Sequence, residues 1–565
     1  MPASRIEAAA SRGGGPSHWR AGLTLVLTFT GLSLLWNLPT AFAGFAWPYA
    51  AAPSLEVAVV FALLALIPSL RAGRSGALTA VVVALASALV ATLKLGELAM
   101  RESLARPLNP LLDLHLARSL VHLLTETLGG PAGWLTVTGL ALAPLLVGLG
   151  AFVLVRAAQR ALEGRWTRCG TLAACAALVI VFVLQPPIAP RHLVSNHASL
   201  TLFQQWRVAG EVMASLDALE VAVAQDRFRT LPDEELLGRL ASADVLLMFI
   251  ESYGRSALEL PRYAETLVPR VQAFQQRLAE GGLVAASGWL TSPTVGGQSW
   301  LAHGTLESGL WLADEAHYQA LLQSERLTLT RAFAKAGYRT VAIKPAITRP
   351  WPEGDTLGFA EIYAAADLGY AGKPYNWVTM PDQYTLAVLE RAERRGAEGP
   401  LFVEVSLISS HAPWTPIAPV LEDWSAIGDG RVFSKWADDD DPPEVVWRDP
   451  ERVRRQYARA VDYVLEVLAS YAANFVDART LLILVGDHQP APLITGEGAS
   501  RDVPIHVISG DPALVTPFVT WGFAPGMRPP ADAARKPMNA FRDFFLGAFS
   551  EAVDATITAS PEPSR

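Results

Sequence analysis

The chain has 565 residues, of which 51% are hydrophobic and 18% are charged, and its formal net charge is −8 at pH 7. The charge is uneven, because residues 1–190 hold 13 Lys and Arg against 7 Asp and Glu, whereas residues 191–565 hold 33 against 47. This composition excludes disordered, collagenous and small disulfide-rich proteins, and the absence of a dense basic stripe argues against nucleic acid as a partner.

The amino-terminal third contains five apolar stretches, each about as long as a membrane-spanning helix requires. They lie near 21–38, 54–70, 75–93, 132–155 and 169–185. They predict a transmembrane domain over 1–185, with the lipid bilayer as a partner. Arginines precede the first span and lie between spans two and three and between spans four and five. Because cytoplasmic loops are enriched in Lys and Arg, five crossings leave everything after about residue 190 on the extracytoplasmic side.

An alternative for the first stretch is a cleavable signal peptide, because Ala-Phe-Ala at 41–43 resembles a cleavage site. The four further spans argue against it.

Trp47 and Tyr49 suit an outer membrane interface. Leucines at helical spacing between 112 and 124 predict an amphipathic helix lying at that interface. Residues 186–242 are predicted to be a juxtamembrane linker that begins with prolines and continues as a helix near 204–227.

Short apolar runs alternate with helical patterns from residue 243 to residue 535. Predicted strands are 244–250, 339–344, 401–408, 480–485 and 503–508, and predicted helices are 263–279, 327–336, 382–394 and 451–475. This alternation is typical of an α/β domain with a largely parallel central sheet covered by helices. Residues 536–565 are predicted to form a C-terminal helix and tail.

Functional side chains of α/β sheets collect beyond the carboxyl ends of the strands. Three of the predicted strands are followed by ionisable residues there, namely Glu251, His411 and the pair Asp487-His488. Glu251, Asp487 and His488 offer two carboxylates and an imidazole, a donor set that suits Mn²⁺, Mg²⁺ or Zn²⁺. The alternative for each residue alone is a polar cap at the end of a strand.

A candidate nucleophile lies in the segment 293–305, which reads PTVGGQSWLAHGT. Its two glycines allow a close approach of the backbone, and Ser299 follows them at the start of a helical pattern, where backbone N–H groups favour an anion. A divalent cation lowers the pKa of a coordinated hydroxyl and activates it for attack. Ser299 could equally be a helix N-cap, and Thr294 and Thr305 are competing nucleophiles in less favourable positions.

In this order along the chain, these residues resemble the sulfatase branch of the alkaline phosphatase superfamily. Together with five preceding spans, they resemble the lipoteichoic acid synthase and phosphoglycerol transferase group. The resemblance implies one divalent cation, Mn²⁺ first and Mg²⁺ or Zn²⁺ as alternatives, held by Glu251, Ser299, Asp487 and His488. It also implies that Ser299 is the nucleophile and that His411 contacts the phosphate of the substrate.

The stretch from Gly337 to Trp351 is similar to the headgroup-binding stretch of that group, which implies substrate contacts by Lys344, Arg349 and Trp351. Many relatives have Thr where Ser299 stands, and His is common where Lys344 stands. Ser299 is followed by Trp-Leu-Ala-His and not by the x-Pro-x-Arg of formylglycine sulfatases, which disfavours sulfate-ester hydrolysis by that route. A Gly-x-Ser-x-Gly elbow is also absent around Ser299, which disfavours an α/β-hydrolase lipase.

The residues and the resemblance together predict an enzyme that transfers a phosphoglycerol-like headgroup. The donor is a membrane phospholipid, the acceptor is a hydroxyl of a glycan or polymer, and the intermediate is a phospho-serine. The predicted location is the bacterial cytoplasmic (inner) membrane, with several spans and an extracytoplasmic catalytic domain. Two alternatives stay open at this point: a hydrolase of the same fold that uses water as acceptor, and a non-catalytic membrane scaffold or sensor.

Overall fold

The computed structural model describes residues 18–37, 51–110, 112–113, 116–127, 130–185, 193–396 and 398–551. The chain divides into two compact units. The first contains residues 1–101, 107–113 and 134–210, and the second contains residues 102–106, 114–133 and 211–565. Trp47, Tyr49 and the prolines at the start of the predicted linker lie outside the described residues.

The amino-terminal third is helical. Its helices are α1 (His18–Asn37), α2 (Leu55–Leu66), α3 (Gly73–Leu104), α4 (Leu116–Thr127), α5 (Gly130–Ala161), α6 (Arg165–Leu184) and α7 (His197–Ala224). Four of the described helices are long and apolar enough to cross a membrane, namely α1 from Trp19, α3, α5 and α6. Leu135, Leu145 and Leu146 of α5 are 65–76% exposed. A contiguous apolar surface of this kind is typical of helices that face lipid.

Five helices of spanning length were expected, but the second of them, α2, is too short to span a membrane as a helix. α2 has 12 residues, whereas a helix that crosses the hydrocarbon core needs about 20. Ile67 ends it in an extended conformation (φ −104°, ψ 107°), because Pro68 follows and disfavours helical geometry at the preceding residue.

Hydrogen bonds nevertheless show that α2 runs from one end of the helical unit to the other. At its start, Leu55 N–H donates to the carbonyl oxygen of Ser195, which follows α6, and Ser195 Oγ donates to Asn37 Oδ1 at the end of α1 (2.9 Å). Beyond its other end, the carbonyl oxygen of Leu70 accepts from Gln159 Nε2 in the last turn of α5 (2.8 Å). The chain therefore passes along α2 from the end that holds residues 37 and 195 to the end that holds residues 70 and 159.

The second unit is built on one nine-stranded sheet. Its strands are β1 (Asp244–Ile250), β2 (Val284–Thr291), β3 (Arg339–Lys344), β4 (Glu361–Ala364), β5 (Leu401–Leu407), β6 (Thr480–Gly486), β7 (Asp502–Ser509), β8 (Ala524–Pro525) and β9 (Arg535–Pro537). The order is β4-β3-β5-β1-β6-β7-β2-β8, and β9 pairs with β2. The five predicted strands match β1, β3, β5, β6 and β7.

The helices of this unit cover the sheet. They are α8 (Ser256–Glu259), α9 (Pro261–Glu280), α10 (Ser299–Ser308), α11 (Glu315–Leu322), α12 (Leu329–Lys335), α13 (Pro352–Leu357), α14 (Asp382–Leu389), α15 (Pro443–Val446), α16 (Pro450–Phe475), α17 (Pro492–Thr495), α18 (Pro512–Thr520) and α19 (Ala540–Phe549). A π turn, Glu390–Arg394, and short 3₁₀ turns, Pro68–Leu70, Asp233–Glu235, Gly238–Leu240, Trp424–Ile427 and Arg431–Lys435, complete the regular structure. The four predicted helices of this domain match α9, α12, α14 and α16.

The sheet is mixed: most neighbouring strands pair in parallel, as expected, but the part around β7 and β8 is antiparallel. β4, β3, β5, β1 and β6 are parallel neighbours, whereas β7 runs antiparallel to both β6 and β2. Between β6 and β7 the chain forms only the one-turn helix α17, and a parallel crossover needs a longer connection, usually a full helix. An apolar run alone does not encode strand direction, so the sequence pattern does not predict that β7 is reversed.

Two hydrophobic cores lie on the two faces of the sheet. β1 contributes Leu246 and Met248 to one core and Leu247 and Phe249 to the other, as the two-residue period of a strand requires. Helices α9 and α16 cover the first core, and α10, α12, α18 and α19 cover the second. The carboxyl ends of the central strands lie between these layers, which is where the candidate site forms.

Candidate functional site

Three parallel strands end level with one another at the edge of the sheet. Ile250 at the end of β1 is paired with Leu407 of β5 on one side and with Gly486 of β6 on the other. The residues that follow the three strands therefore emerge side by side, as expected for functional groups of an α/β sheet.

The side chains of Glu251, Ser299, Asp487 and His488 meet at this edge. Ser299 Oγ donates to Glu251 Oε2 (3.1 Å) and lies 3.3 Å from His488 Nε2. His488 Nε2 lies 3.3 Å from Glu251 Oε1 and 3.5 Å from Asp487 Oδ2. Ligand atoms of Glu251, Asp487 and His488 all lie within 4.8 Å of one another. Residues up to 237 positions apart thus share one small volume.

The loop that carries Ser299 is fastened to the chain after β6. Ser292 Oγ donates to the carbonyl oxygen of Asp487 (2.6 Å), and Gly296 N–H donates to that of Gln489 (2.7 Å). The N-cap position of α10 is occupied by Gln298, so Ser299 is not the N-cap and its hydroxyl is turned to the carboxylates.

The two competing threonines have other hydrogen bonds. Thr294 Oγ1 donates to the carbonyl oxygen of Gly297 (2.7 Å), within the loop itself. Thr305 Oγ1 is fully buried and accepts from Leu312 N–H (3.1 Å). Of the three candidate nucleophiles, Ser299 is thus the one whose hydroxyl lies against the ionisable cluster.

Ser252 joins the two carboxylates and was missed by sequence reasoning. Its backbone N–H donates to Asp487 Oδ1 (2.8 Å), and its Oγ donates to Glu251 Oε1 (2.8 Å). It does so from a left-handed backbone conformation, with φ of 57°, which is uncommon for residues other than glycine. Only the adjacent Tyr-Gly in the sequence hints at a turn there.

A buried carboxylate, Asp382, shapes the neighbouring loop that carries His411. It accepts backbone N–H donors from Ile408 (2.7 Å) and Ser409 (3.1 Å) at the end of β5. Burial raises the pKa of Asp382 to about 7, although these donors oppose the shift. In the sequence it reads as an ordinary acidic residue in the first turn of a helix, so its role was missed.

The charges of the cluster perturb one another. Burial raises the pKa of Asp487 to about 7, and the negative charge of Glu251 adds to this effect. Burial opposes charge on His488 as well, but the two carboxylates outweigh it and raise its pKa to about 9. For Glu251 the penalty of burial is outweighed by the positive charges of His488 and His411, so its pKa lies below the ordinary range. Two buried carboxylates side by side require a compensating positive charge.

A divalent cation would supply that positive charge, and the residues of the cluster fit one. His488 Nδ1 lies 2.9 Å from the carbonyl oxygen of Gln489. Donation of the Nδ1 proton to this oxygen leaves the Nε2 lone pair facing Glu251 and Asp487, the tautomer that a metal-binding histidine requires. Two carboxylates, one imidazole nitrogen and the Ser299 hydroxyl form a donor set for Mn²⁺, Mg²⁺ or Zn²⁺.

His411 lies near this cluster, and its imidazole stacks on the indole of Trp377. The ring centroids are 3.7 Å apart and the planes differ by 15°. Its Nδ1 faces the carbonyl oxygen of Ala412, so Nε2 is the nitrogen left for other contacts. Trp377 lies outside the stretch in which the sequence placed substrate-binding residues, and its ring contact could not be read from the chain.

Lys344 lies inside the domain and forms a buried ion pair with Glu404. Its Nζ also donates to Ser406 Oγ (3.0 Å) and lies 3.2 Å from His303 Nδ1. The described contacts of Lys344 are thus to protein groups, and its predicted role in headgroup binding stays a prediction.

The other two predicted headgroup residues lie nearer the surface. Arg349 is exposed, and Trp351 is half-buried. The Trp351 ring lies 5.7 Å from Lys344 Nζ and packs beside Phe359 (6.1 Å between centroids). Their predicted roles in binding substrate also stay predictions.

The fold and this cluster define an α/β enzyme domain whose sheet presents a hydroxyl, and groups able to hold a metal ion, at its carboxyl edge. Residues 243–524 match the model of the Sulfatase family, and this domain belongs to that family. A sequence comparison with curated proteins finds no match.

Three of the solved structures that this chain is similar to are bacterial proteins. Lipoteichoic acid synthase LtaP from Listeria monocytogenes is 12% identical over 49% of this chain and 67% of its own, with a TM-score of 0.33. The C-terminal periplasmic domain of EcEptC from Escherichia coli is 15% identical over 56% and 88%, with a TM-score of 0.35. Phosphoglycerol transferase GacH from Streptococcus pyogenes, in complex with sn-glycerol-1-phosphate, is 13% identical over 51% and 75%, with a TM-score of 0.34.

Proposed function

We propose that the protein transfers a phosphorylated headgroup, such as phosphoglycerol, from a membrane phospholipid to a hydroxyl of a glycan or polymer. The observation that carries the proposal is the position of Ser299 Oγ, 3.1 Å from Glu251 Oε2 and 3.3 Å from His488 Nε2. Glu251, Ser299, Asp487 and His488 would hold one divalent cation, with Mn²⁺ as the first choice.

In the first half-reaction, Ser299 Oγ attacks the phosphorus of the lipid headgroup. Its proton passes to Asp487, the carboxylate whose pKa burial raises to about 7, the Oγ–P bond forms, and the bond from phosphorus to the diacylglycerol oxygen breaks. His411 supplies a proton to that leaving oxygen. The cation, when bound, would withdraw charge from the serine oxygen and from the phosphoryl oxygens.

In the second half-reaction, the acceptor hydroxyl attacks the phosphorus of the phospho-serine, the Oγ–P bond breaks, and Ser299 Oγ takes its proton back from Asp487. His411, now without the proton it donated, accepts the proton of the attacking hydroxyl. Both the donor lipid and the released diacylglycerol stay in the bilayer, which accounts for a catalytic domain that is tethered to apolar helices.

We further propose a location in the bacterial inner membrane with the catalytic domain outside. The arginines at 71 and 74 follow Leu70, and those at 156 and 160 flank Gln159, so the 2.8 Å bond between Gln159 and Leu70 supports one common basic end. Basic ends of membrane bundles face the cytoplasm. Ser195, from which the chain continues to the catalytic domain, is bonded at the other end of α2.

Intact-mass analysis of the full-length protein tests the reaction. After exposure to Mn²⁺ and vesicles of phosphatidylglycerol, we expect a mass increment of one phosphoglycerol group on Ser299. Ser299→Ala should abolish the increment and lower turnover by about 10³-fold or more. Ser299→Thr, which retains a hydroxyl, is the matched control and should keep both.

The products decide between this function and its alternatives. Labelled headgroup on an added glycan or polymer supports transfer, whereas free glycerol phosphate as the only product identifies a hydrolase. Full cellular function of Ser299→Ala at a normal protein level would contradict both and favour a scaffold.

A further inference from the structure

Residues 102–106, at the end of α3 and just after it, belong to the same compact unit as the catalytic domain. They lie against Gly296, Gly297 and Gln298, the three residues that precede Ser299. A Cβ atom at Gly296 would collide with the carbonyl oxygen of Ser103, and one at Gly297 would lie 3.4 Å from Leu104 Cδ2. The nucleophile loop is therefore in close contact with a segment about 190 residues earlier in the chain.

The third contact of this segment is polar. Arg106 donates to the side-chain oxygen of Gln298 from Nε (3.3 Å) and from Nη2 (3.2 Å). Gln298 is only 6% exposed. Two donors of one guanidinium thus converge on a single amide oxygen and hold that oxygen in place.

The loop needs such support, because its backbone is held in an unfavourable conformation. The φ angles of Gly296, Gly297 and Gln298 are 73°, 149° and 61°. For Gln298 the left-handed region costs on the order of 1–2 kcal/mol, and a residue stays there only when its surroundings fix it. Since Ser299 follows directly, a relaxed Gln298 would rotate the hydroxyl away from Glu251 and His488.

We propose that Arg106 is a positioning residue for the nucleophile, acting through Gln298 to hold Ser299 against Glu251 and His488. This inference deepens the proposed function and rests on Ser299 being the nucleophile. It implies that the catalytic centre includes chain from the predicted transmembrane domain and is incomplete without residues 102–106.

A second positive group near the loop offers an alternative role for Arg106. Arg501 Nη1 donates to the carbonyl oxygen of Pro293 (3.0 Å), and burial together with the charge of Arg106 lowers the pKa of Arg501. Two neighbouring guanidinium groups could instead bind an anionic part of the substrate directly. A positioning role lowers kcat, whereas direct binding raises KM.

The test uses the full-length protein in phospholipid vesicles with Mn²⁺. Arg106→Gln should lower kcat about tenfold, the effect of a lost charged hydrogen bond, with KM for phosphatidylglycerol unchanged. Arg106→Lys, which keeps one donor, should recover part of kcat. Arg101→Gln is the matched control, because Arg101 is an exposed arginine five residues earlier, in α3, that pairs with Glu97 (2.6 Å), and it should leave kcat unchanged.

A double-mutant cycle identifies the route of the effect. Gln298→Leu should lower kcat by a similar factor, and adding Arg106→Gln should lower it little further, because the two residues act as one contact. Additive losses, a rise in KM alone, or equal activities of Arg106→Gln and Arg101→Gln would each overturn the inference.

A second substrate separates this inference from the proposed function. Cleavage of bis(p-nitrophenyl) phosphate reports attack by Ser299 without any lipid headgroup. If the wild type cleaves this ester but takes no headgroup from lipid, the proposed transfer fails, and the same kcat ratios on the ester still decide the role of Arg106. Unchanged Mn²⁺ affinity of Arg106→Gln is expected, and loss of Mn²⁺ binding would contradict a role limited to the nucleophile loop.

Discussion

Ser252 fixes the separation of two carboxylates with two different donors of one residue. Its N–H binds Asp487 and its hydroxyl binds Glu251. Groups that orient metal ligands typically affect metal affinity or activity by 10–100-fold. We therefore expect Ser252→Ala to weaken activation by Mn²⁺ by about tenfold, measured as the Mn²⁺ concentration that gives half-maximal turnover.

A serine of similar chemistry outside the site provides the control for this prediction. Ser425 Oγ also donates to a carboxylate, Asp423 (2.6 Å), but on the exposed surface. Ser425→Ala should leave Mn²⁺ activation unchanged. An equal response of both variants would show that Ser252 does not orient metal ligands.

Glu307 is a buried acid that titrates far from its ordinary range. Burial, and then the negative charge of Glu404, raise the pKa of Glu307 from 4.5 to about 8. Between these two pH values the folded protein keeps a proton that the unfolded chain releases, so stability falls as pH rises through this window. The loss at pH 8 is on the order of 4 kcal/mol.

Glu307→Gln should remove this pH dependence. The amide oxygen can still accept from Thr330 N–H and Oγ1, which Glu307 Oε2 now accepts at 2.9 Å each. We expect the melting temperature of the variant to fall less between pH 5 and pH 8 than that of the wild type. The exposed Glu325 serves as control, and the idea is wrong if Glu307→Gln and Glu325→Gln have the same slope.

At the scale of elements, the C-terminal helix α19 is part of the catalytic core. Phe545 is 1% exposed and contacts Phe333 of α12 (5.8 Å between ring centroids). Removal of a buried phenylalanine ring leaves a cavity and costs about 3–5 kcal/mol. Phe545→Ala should therefore destabilise the catalytic domain by this amount in denaturant unfolding.

The neighbouring Phe544 gives a matched comparison in the same helix. It is only half-buried and stacks on Trp521 (4.0 Å) near the surface. Phe544→Ala should cost clearly less than Phe545→Ala. Equal losses would mean that α19 does not pack as an integral layer of this domain.

The strands also show which elements a local sequence pattern is sufficient to predict. β1, β5 and β6 were predicted within a residue or two, because fully buried strands are short continuous apolar runs. β2 was missed, since Val-Ala-Ala-Ser-Gly-Trp-Leu-Thr contains small and polar residues that are buried only through pairing with β7. Its burial depends on distant partners and is therefore absent from the local pattern.

At the scale of the whole molecule, the number of membrane crossings depends on the short helix α2. An extracytoplasmic catalytic domain with a cytoplasmic amino terminus requires an odd number of crossings. For an odd number, α2 must be one of the crossings. Its 12 residues are fewer than a spanning helix needs, so the residues on either side of it would complete the crossing.

Reporter fusions test this arrangement directly. We expect alkaline phosphatase to be inactive and green fluorescent protein to be fluorescent when fused after residue 72, between α2 and α3, because that end is basic. The opposite result is expected after residue 195. The same result at both positions would contradict the proposed orientation.

The sequence by itself determined the two-part organisation, the central strands and the residues that follow them. It did so because lipid burial, strand burial and strand-end chemistry are all written in local composition. Tertiary structure alone decided the antiparallel direction of β7, the buried pairing of Lys344 with Glu404, and the contacts of Ser252, Trp377 and Arg106. These depend on which distant segments come together in space, and no local pattern carries that information.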